Sequence, residues 1–283
     1  MRGQSHLSTY ELFHGPESWM LNMSSPLVQA CYIGHVRFEI FQSLLNTREH
    51  TSTRIDYSVD LLPALAHPAD DVAWGNRIAW LAARCLQWAD SDARTLGEWQ
   101  NLTEIVDEWE RERPSSFNAF YYRDANMLAG RNFPDLWFSS MPHGKLMLLA
   151  SCARADVLLV NAFQHLRIAR ITLAVNHPSC GLGSRKGFAE AGEVEVTKPL
   201  REMVAAVRCN THAMVPTAAI AAHTIHKFGG CLQNFVDQSD IIEFLEEVEI
   251  VGWKTDVTKR WLKVQWNWPL QDDSPNLGNE DFL

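Results

Sequence analysis

Apolar residues recur at spacings of three and four along most of this chain, and regular alternation bounded by hairpin turns is scarce. That period predicts helices and few strands. In SSPLVQACYIGHVRFEIFQSLL, Ser25 is placed to cap a helix and Pro26 to occupy its first position, where a missing N–H is harmless. Leu27, Ala30, Cys31, Phe38, Phe41 and Leu45 then form one stripe, the expected inward face. The next helix starts at Asp70 or Asp71 and repeats Trp74, Ile78, Leu81, Cys85 and Trp88. The third opens with Thr95-Leu96-Gly97-Glu98, a capping box. Its apolar face is Trp99, Leu102, Val106 and Trp109, while Glu104, Asp107, Glu108, Glu110 and Arg111 are expected to face solvent. Pro114 stops it, because the residue before a proline is pushed out of helical geometry.

Farther along, FPDLWF, residues 133–138, reads as a short aromatic plug before a long helix from Pro142 to Ala174. Leu146, Leu149, Ala150, Ala153, Val157 and Val160 mark that helix's buried stripe. A glycine- and charge-rich loop spans 178–196. Helices are predicted in KPLREMVAAVRCNTHA, PTAAIAAHTIHKFGGCL, SDIIEFLEEVEIVG and DVTKRWLKVQWNW, the last with a stripe of Val257, Trp261, Val264 and Trp268. The fold class expected is all-α: a single multi-helix domain of antiparallel and crossed helices over residues 25–268. Residues 1–24 are expected to be poorly ordered, and 269–283 to form a loose acidic tail.

Composition narrows the function. The 283 residues include 11 tryptophans and 13 phenylalanines, enough bulk for a well-packed body. A formal charge of −9, without a run of basic residues, disfavours direct binding to a phosphate backbone. The six cysteines, Cys31, Cys85, Cys152, Cys180, Cys209 and Cys231, are scattered without a C-x-x-C pair, which reads as reduced, mostly buried thiols. The start of the chain lacks the apolar core of a secretory signal, and LMLLASCARADVLLV is too short and too charged to span a bilayer. A protein of the cytosol or nucleus is expected.

Candidate chemistry is sparse. Cys209 and His212, followed by His223 and His226, offer sulfur and imidazole for tetrahedral zinc; the alternative is two helix ends with partly exposed histidines. CGLGSRKG lacks the preceding strand and following helix of a phosphate cradle. A helical terpene-synthase-like enzyme would need clustered carboxylates for magnesium, but Asp70-Asp71 lacks a third acid, and Asp240, Glu243 and Glu247 lack companion asparagine and serine. The acids of EWERER are an acid/base pair only if they leave the solvated face of their helix. No G-x-S-x-G elbow is present.

Several segments in order resemble a known family. These are Arg113-Pro114-Ser115-Ser116-Phe117, then Phe133-Pro134-Asp135-Leu136-Trp137, then a long helix, an alanine-rich helix ending near a glycine, and Gly252-Trp253-Lys254-Thr255. Together, from about Gly34 to Trp266, they resemble the regulatory region of fungal-specific transcription factors of the zinc binuclear cluster class. The resemblance implies a nuclear, non-enzymatic domain that controls activation through the transcription machinery or co-regulators, with homodimerisation possible. DNA would be reached only through a six-cysteine zinc cluster, and that cluster is not in this sequence; no cofactor is implied for the chain itself. The chain is then either the regulatory part of a longer regulator or a relative without the DNA reader. A stand-alone interaction scaffold is the remaining alternative. Trp99, Trp109, Trp137 and Phe138 mark a candidate pocket for an apolar effector, against the alternative of a closed core. The tail, with Asp272, Asp273, Glu280, Asp281 and Phe282, has the acidic and hydrophobic flavour of an activation segment, against a plain disordered terminus.

Overall fold

The computed structural model describes residues 26–45, 70–91, 94–138, 149–178, 193–211 and 214–269. The proposed Ser25 cap, the glycine-rich loop over 179–192, the terminal segments, and Leu146, Leu149, Ala150 and Ala153 as buried positions lie outside what is described; the end of the predicted loop is corrected, because Glu193–Thr197 forms a short π-helix that runs into the next helix. Among the described residues there are eight α-helices: α1 (Pro26–Leu44), α2 (Asp71–Ala89), α3 (Leu96–Glu112), α4 (Leu149–Val175), α5 (Lys198–Cys209), α6 (Met214–Phe228), α7 (Phe235–Ile250) and α8 (Asp256–Gln265). A two-stranded antiparallel ribbon, β1 (Tyr121–Arg123) and β2 (Asp135–Trp137), interrupts them between α3 and α4. The all-α class holds, and no helix among the described residues is long and apolar enough to cross a membrane.

Local signals place the helix ends. The Asp70 side chain accepts from Ala73 N at 2.8 Å, and Thr95 Oγ1 accepts from Glu98 N at 3.2 Å. The Thr95 hydroxyl also donates to Glu98 Oε2 at 3.1 Å, so the glutamate closes its half of the box on the hydroxyl. Helix α3 ends at Glu112, and Arg113, before the proline, takes an extended ψ of 145°.

Two hubs organise the packing. α2 lies along α4 and also touches α1 and α3; α6 touches α1, α4, α5, α7 and α8. α2 is buried on nearly every side, with Ile78, Trp80, Leu81 and Cys85 inaccessible, so its predicted stripe is correct but too narrow. Inside, Trp80 Nε1 donates to the Tyr32 hydroxyl at 3.1 Å, tying α2 to α1. On α3 the predicted face points inward: Leu102, Val106 and Trp109 are buried, and Trp99 packs at the margin.

Two predicted stripes are corrected. On α1 the buried positions are Tyr32, Ile33, Val36, Ile40 and Leu44, while Leu27, Cys31 and Phe38 are exposed. Both sets have helical spacing; contact with α2 and α6 selects the second. On α8, Val257, Trp261 and Val264 face outward, and Thr258 and Leu262 are buried. Leu262 lies against the bare backbone of Gly229, where an added Cβ would stand 3.0 Å from Leu262 Cδ2. The cysteines also divide: burial pushes the Cys85 thiol up to about 12, whereas Cys31 is exposed.

Candidate functional site

FPDLWF sends Leu136 and Phe138 into the core, with Phe133 packed against it, and is also a strand. Asp135–Trp137 pairs with Tyr121–Arg123 in the register Tyr121↔Trp137, Tyr122↔Leu136 and Arg123↔Asp135, reinforced by an Arg123–Asp135 ion pair. Three-residue strands carry too little alternation to read in the sequence. The buried side chain of Asn210 binds β2 to the end of α5. Its Nδ2 donates to Leu136 O at 3.0 Å and Ala206 O at 2.7 Å, and its Oδ1 accepts from Phe138 N at 3.0 Å. Leu136 N also donates to Cys209 Sγ at 3.5 Å. Phe120, Tyr121 and Trp137 of the ribbon and Leu128 of its connecting turn are exposed, apolar surface that the core does not cover.

Beside the ribbon lies a cleft of about 180 Å³, walled by Tyr122, Asp124, Ala125 and Pro134 on one side and Val194, Lys198 and Arg201 on the other. The Tyr122 hydroxyl stands 3.1 Å from Asp124 Oδ1 and 3.2 Å from Glu202 Oε1. Burial and these two carboxylates raise its pKa, which keeps the phenol protonated. The buried Glu202 carboxylate meets Arg167 at 2.8 Å. Arg201 grips Asp237 through two nitrogens, at 2.9 and 2.6 Å. Sequence reading missed this cleft because its residues come from the ribbon and from the start of α5, some 75 positions apart.

The four aromatic residues read from the sequence occupy separate neighbourhoods. Trp99 donates to Leu173 O at 3.0 Å and meets His177 edge-on. Trp109 is packed against Trp74 and Phe117. Phe138 tilts against Phe163, and Trp137 is 44% exposed on β2.

The charges of EWERER and its neighbour Asp107 only partly leave the solvated face. Asp107 and Glu110 both pair with Arg170 of α4, and Glu108 lies 3.8 Å from Arg77 of α2. Burial alone would raise the Glu110 pKa; its hydrogen bond to Arg170 and the charges of Arg170, Arg167 and Arg113 outweigh that and lower it. These acids clamp helices together. Glu104, Asp107 and Arg111 do face water.

The sulfur and imidazole candidates also separate. Cys209 serves β2, His223 lies edge-on to Phe41 and Trp253, and His226 pairs with Thr258 Oγ1 at 3.2 Å; His212 is outside the described residues. Among the described residues no three His, Cys, Asp or Glu side chains converge as a metal site. Glu247 is engaged by Arg208 through two bonds, at 2.9 and 2.8 Å.

Two histidines, the buried His165 and the half-buried His223, make stability depend on pH. Burial, with Arg37 nearby, lowers His165 to about 3; burial, with His226 nearby, lowers His223 to about 4. The unfolded chain protonates both near 6.5, so their contribution is complete above that pH. It is lost as pH falls from about 6.5 towards the folded values. A loss of a few kcal/mol between pH 7 and pH 5 is expected, visible as a lower urea midpoint, and His165→Leu should flatten that slope. Equal slopes for wild type and variant would contradict the assignment.

No protein-family model, curated protein or solved structure matches the chain.

Proposed function

We propose that this chain is the regulatory, non-catalytic part of a fungal transcription regulator. It acts in the nucleus through contacts with the transcription machinery or co-regulators, and DNA is read by a module outside this sequence. The observation that supports this reading is that the segments carrying the family resemblance are the joints of the fold. Phe117, closing the Arg113–Phe117 corner, lies edge-on to Trp109 with ring centroids 5.6 Å apart. Phe133–Trp137 contributes β2, and Arg208 of α5 lies over the Phe133 ring at 4.7 Å. In the last corner Gly252 takes a left-handed φ of 102°, Trp253 Nε1 donates to Val215 O at 3.3 Å, and the Thr255 hydroxyl donates to Leu245 O at 3.0 Å.

The exposed ribbon is the surface offered to a co-regulator, since Tyr121 and Trp137 are cross-strand partners on one face and Phe120 is open beside them. The test is to fuse the chain to an unrelated DNA-binding module upstream of a reporter gene. Expression should depart from that of the module alone, and Phe120→Ser with Trp137→Ser should abolish the difference while melting stays unchanged. A reporter indifferent to the fused chain would refute the proposal.

A further inference from the structure

The cleft beside the ribbon holds two opposite charges that do not meet. Arg201 is engaged by Asp237, and Glu202 by Arg167. Lys198 and Asp124 remain, on opposite walls. Among the described residues neither forms an ion pair.

The ribbon side carries a surplus of acceptors. The Tyr122 hydroxyl has one proton but faces two carboxylate oxygens, at 3.1 and 3.2 Å. Glu202 already has Arg167, so whenever the hydroxyl donates to Glu202 it is Asp124 that is left without a side-chain donor. Asp124 is exposed and has a second oxygen to offer. An ammonium group supplies the donors this end lacks, and a carboxylate is the natural partner for Lys198. The rest of the lining is Val194, Ala125, Pro134 and the Tyr122 ring, with Arg201 held by Asp237. A space of about 180 Å³ takes a molecule of roughly six to ten non-hydrogen atoms.

We infer that this cleft binds a free α-amino acid with a short branched apolar side chain, its ammonium on Asp124 and Tyr122 and its carboxylate on Lys198. The inference deepens the regulatory reading, on which it rests only for the ligand's role as an effector; binding itself is measured without DNA or reporter, so failure of either is distinguishable from failure of the other.

The full chain is titrated with L-valine by calorimetry and by thermal melting. Two analogues accompany it: isobutylamine, which keeps only the ammonium, and 3-methylbutanoate, which keeps only the carboxylate. L-valine should release or absorb heat and raise the melting temperature, with both analogues weaker by about tenfold or more. Lys198→Met and Asp124→Asn should each weaken L-valine binding by about tenfold or more while leaving ligand-free melting unchanged. The proposal is overturned by absence of binding up to about 50 mM, where a millimolar site would be saturated. It is equally overturned if either analogue matches L-valine, or if either variant binds as the wild type does.

Discussion

Trp109→Ala should destabilise the protein by about 3–5 kcal/mol, the range for truncating a large buried aromatic residue. The ring is 1% exposed and closes a junction of three elements. Trp74 of α2 lies edge-on at 6.1 Å, Phe117 of the following corner at 5.6 Å, and the Arg113 guanidinium sits over the ring at 5.8 Å. Its Nε1 donates to Trp74 O at 3.1 Å. Alanine leaves a cavity, and it also removes the surface on which the corner turns toward the ribbon. Trp109→Phe separates the contributions: most of the volume stays and the hydrogen bond goes, for about 1–2 kcal/mol. Trp99, near the start of the same helix, is only partly buried and should cost less on truncation. Urea midpoints decide the matter, and a Trp109→Ala midpoint equal to wild type would show that the ring is not a core element.

Arg167→Met should cost about 3 kcal/mol, the low end for breaking a buried ion pair, because the arginine keeps some contact with water. Glu202 would be stranded: its side chain is 5% exposed, and without Arg167 its remaining partner is the Tyr122 hydroxyl. Methionine preserves packing against Phe163, over which the guanidinium now lies at 4.7 Å, so the loss is mainly electrostatic. The double variant Arg167→Met with Glu202→Gln removes the stranded charge and should recover a substantial part of the stability. Additive losses in that cycle would mean that the two side chains do not act as a pair.

The same residues show which features could be read along the chain. Asp70 and Thr95 as caps, Pro114 as a stop, and the Trp99–Trp109 face depend on partners within about one helical turn, so the local order of residue types suffices. The existence of α5, α6, α7 and α8 was legible for the same reason: each repeats an apolar pattern at helical spacing.

Other choices required distant partners. The acids of α3 looked like a solvated face because Arg170, which binds Asp107 and Glu110, lies 60 positions beyond Glu110. The cleft exists because Asn210 fastens β2 to α5 and so brings Tyr122 to Glu202, 80 positions away. On α1 and α8 more than one side is apolar enough to be buried, and periodicity weighs them equally. Packing breaks that tie. α1 turns Tyr32, Val36 and Ile40 inward, and α8 turns Leu262 rather than Trp261. Leu262 fits the close approach that Gly229 permits, and a side chain is buried where a complementary surface exists, whatever its own size or hydrophobicity.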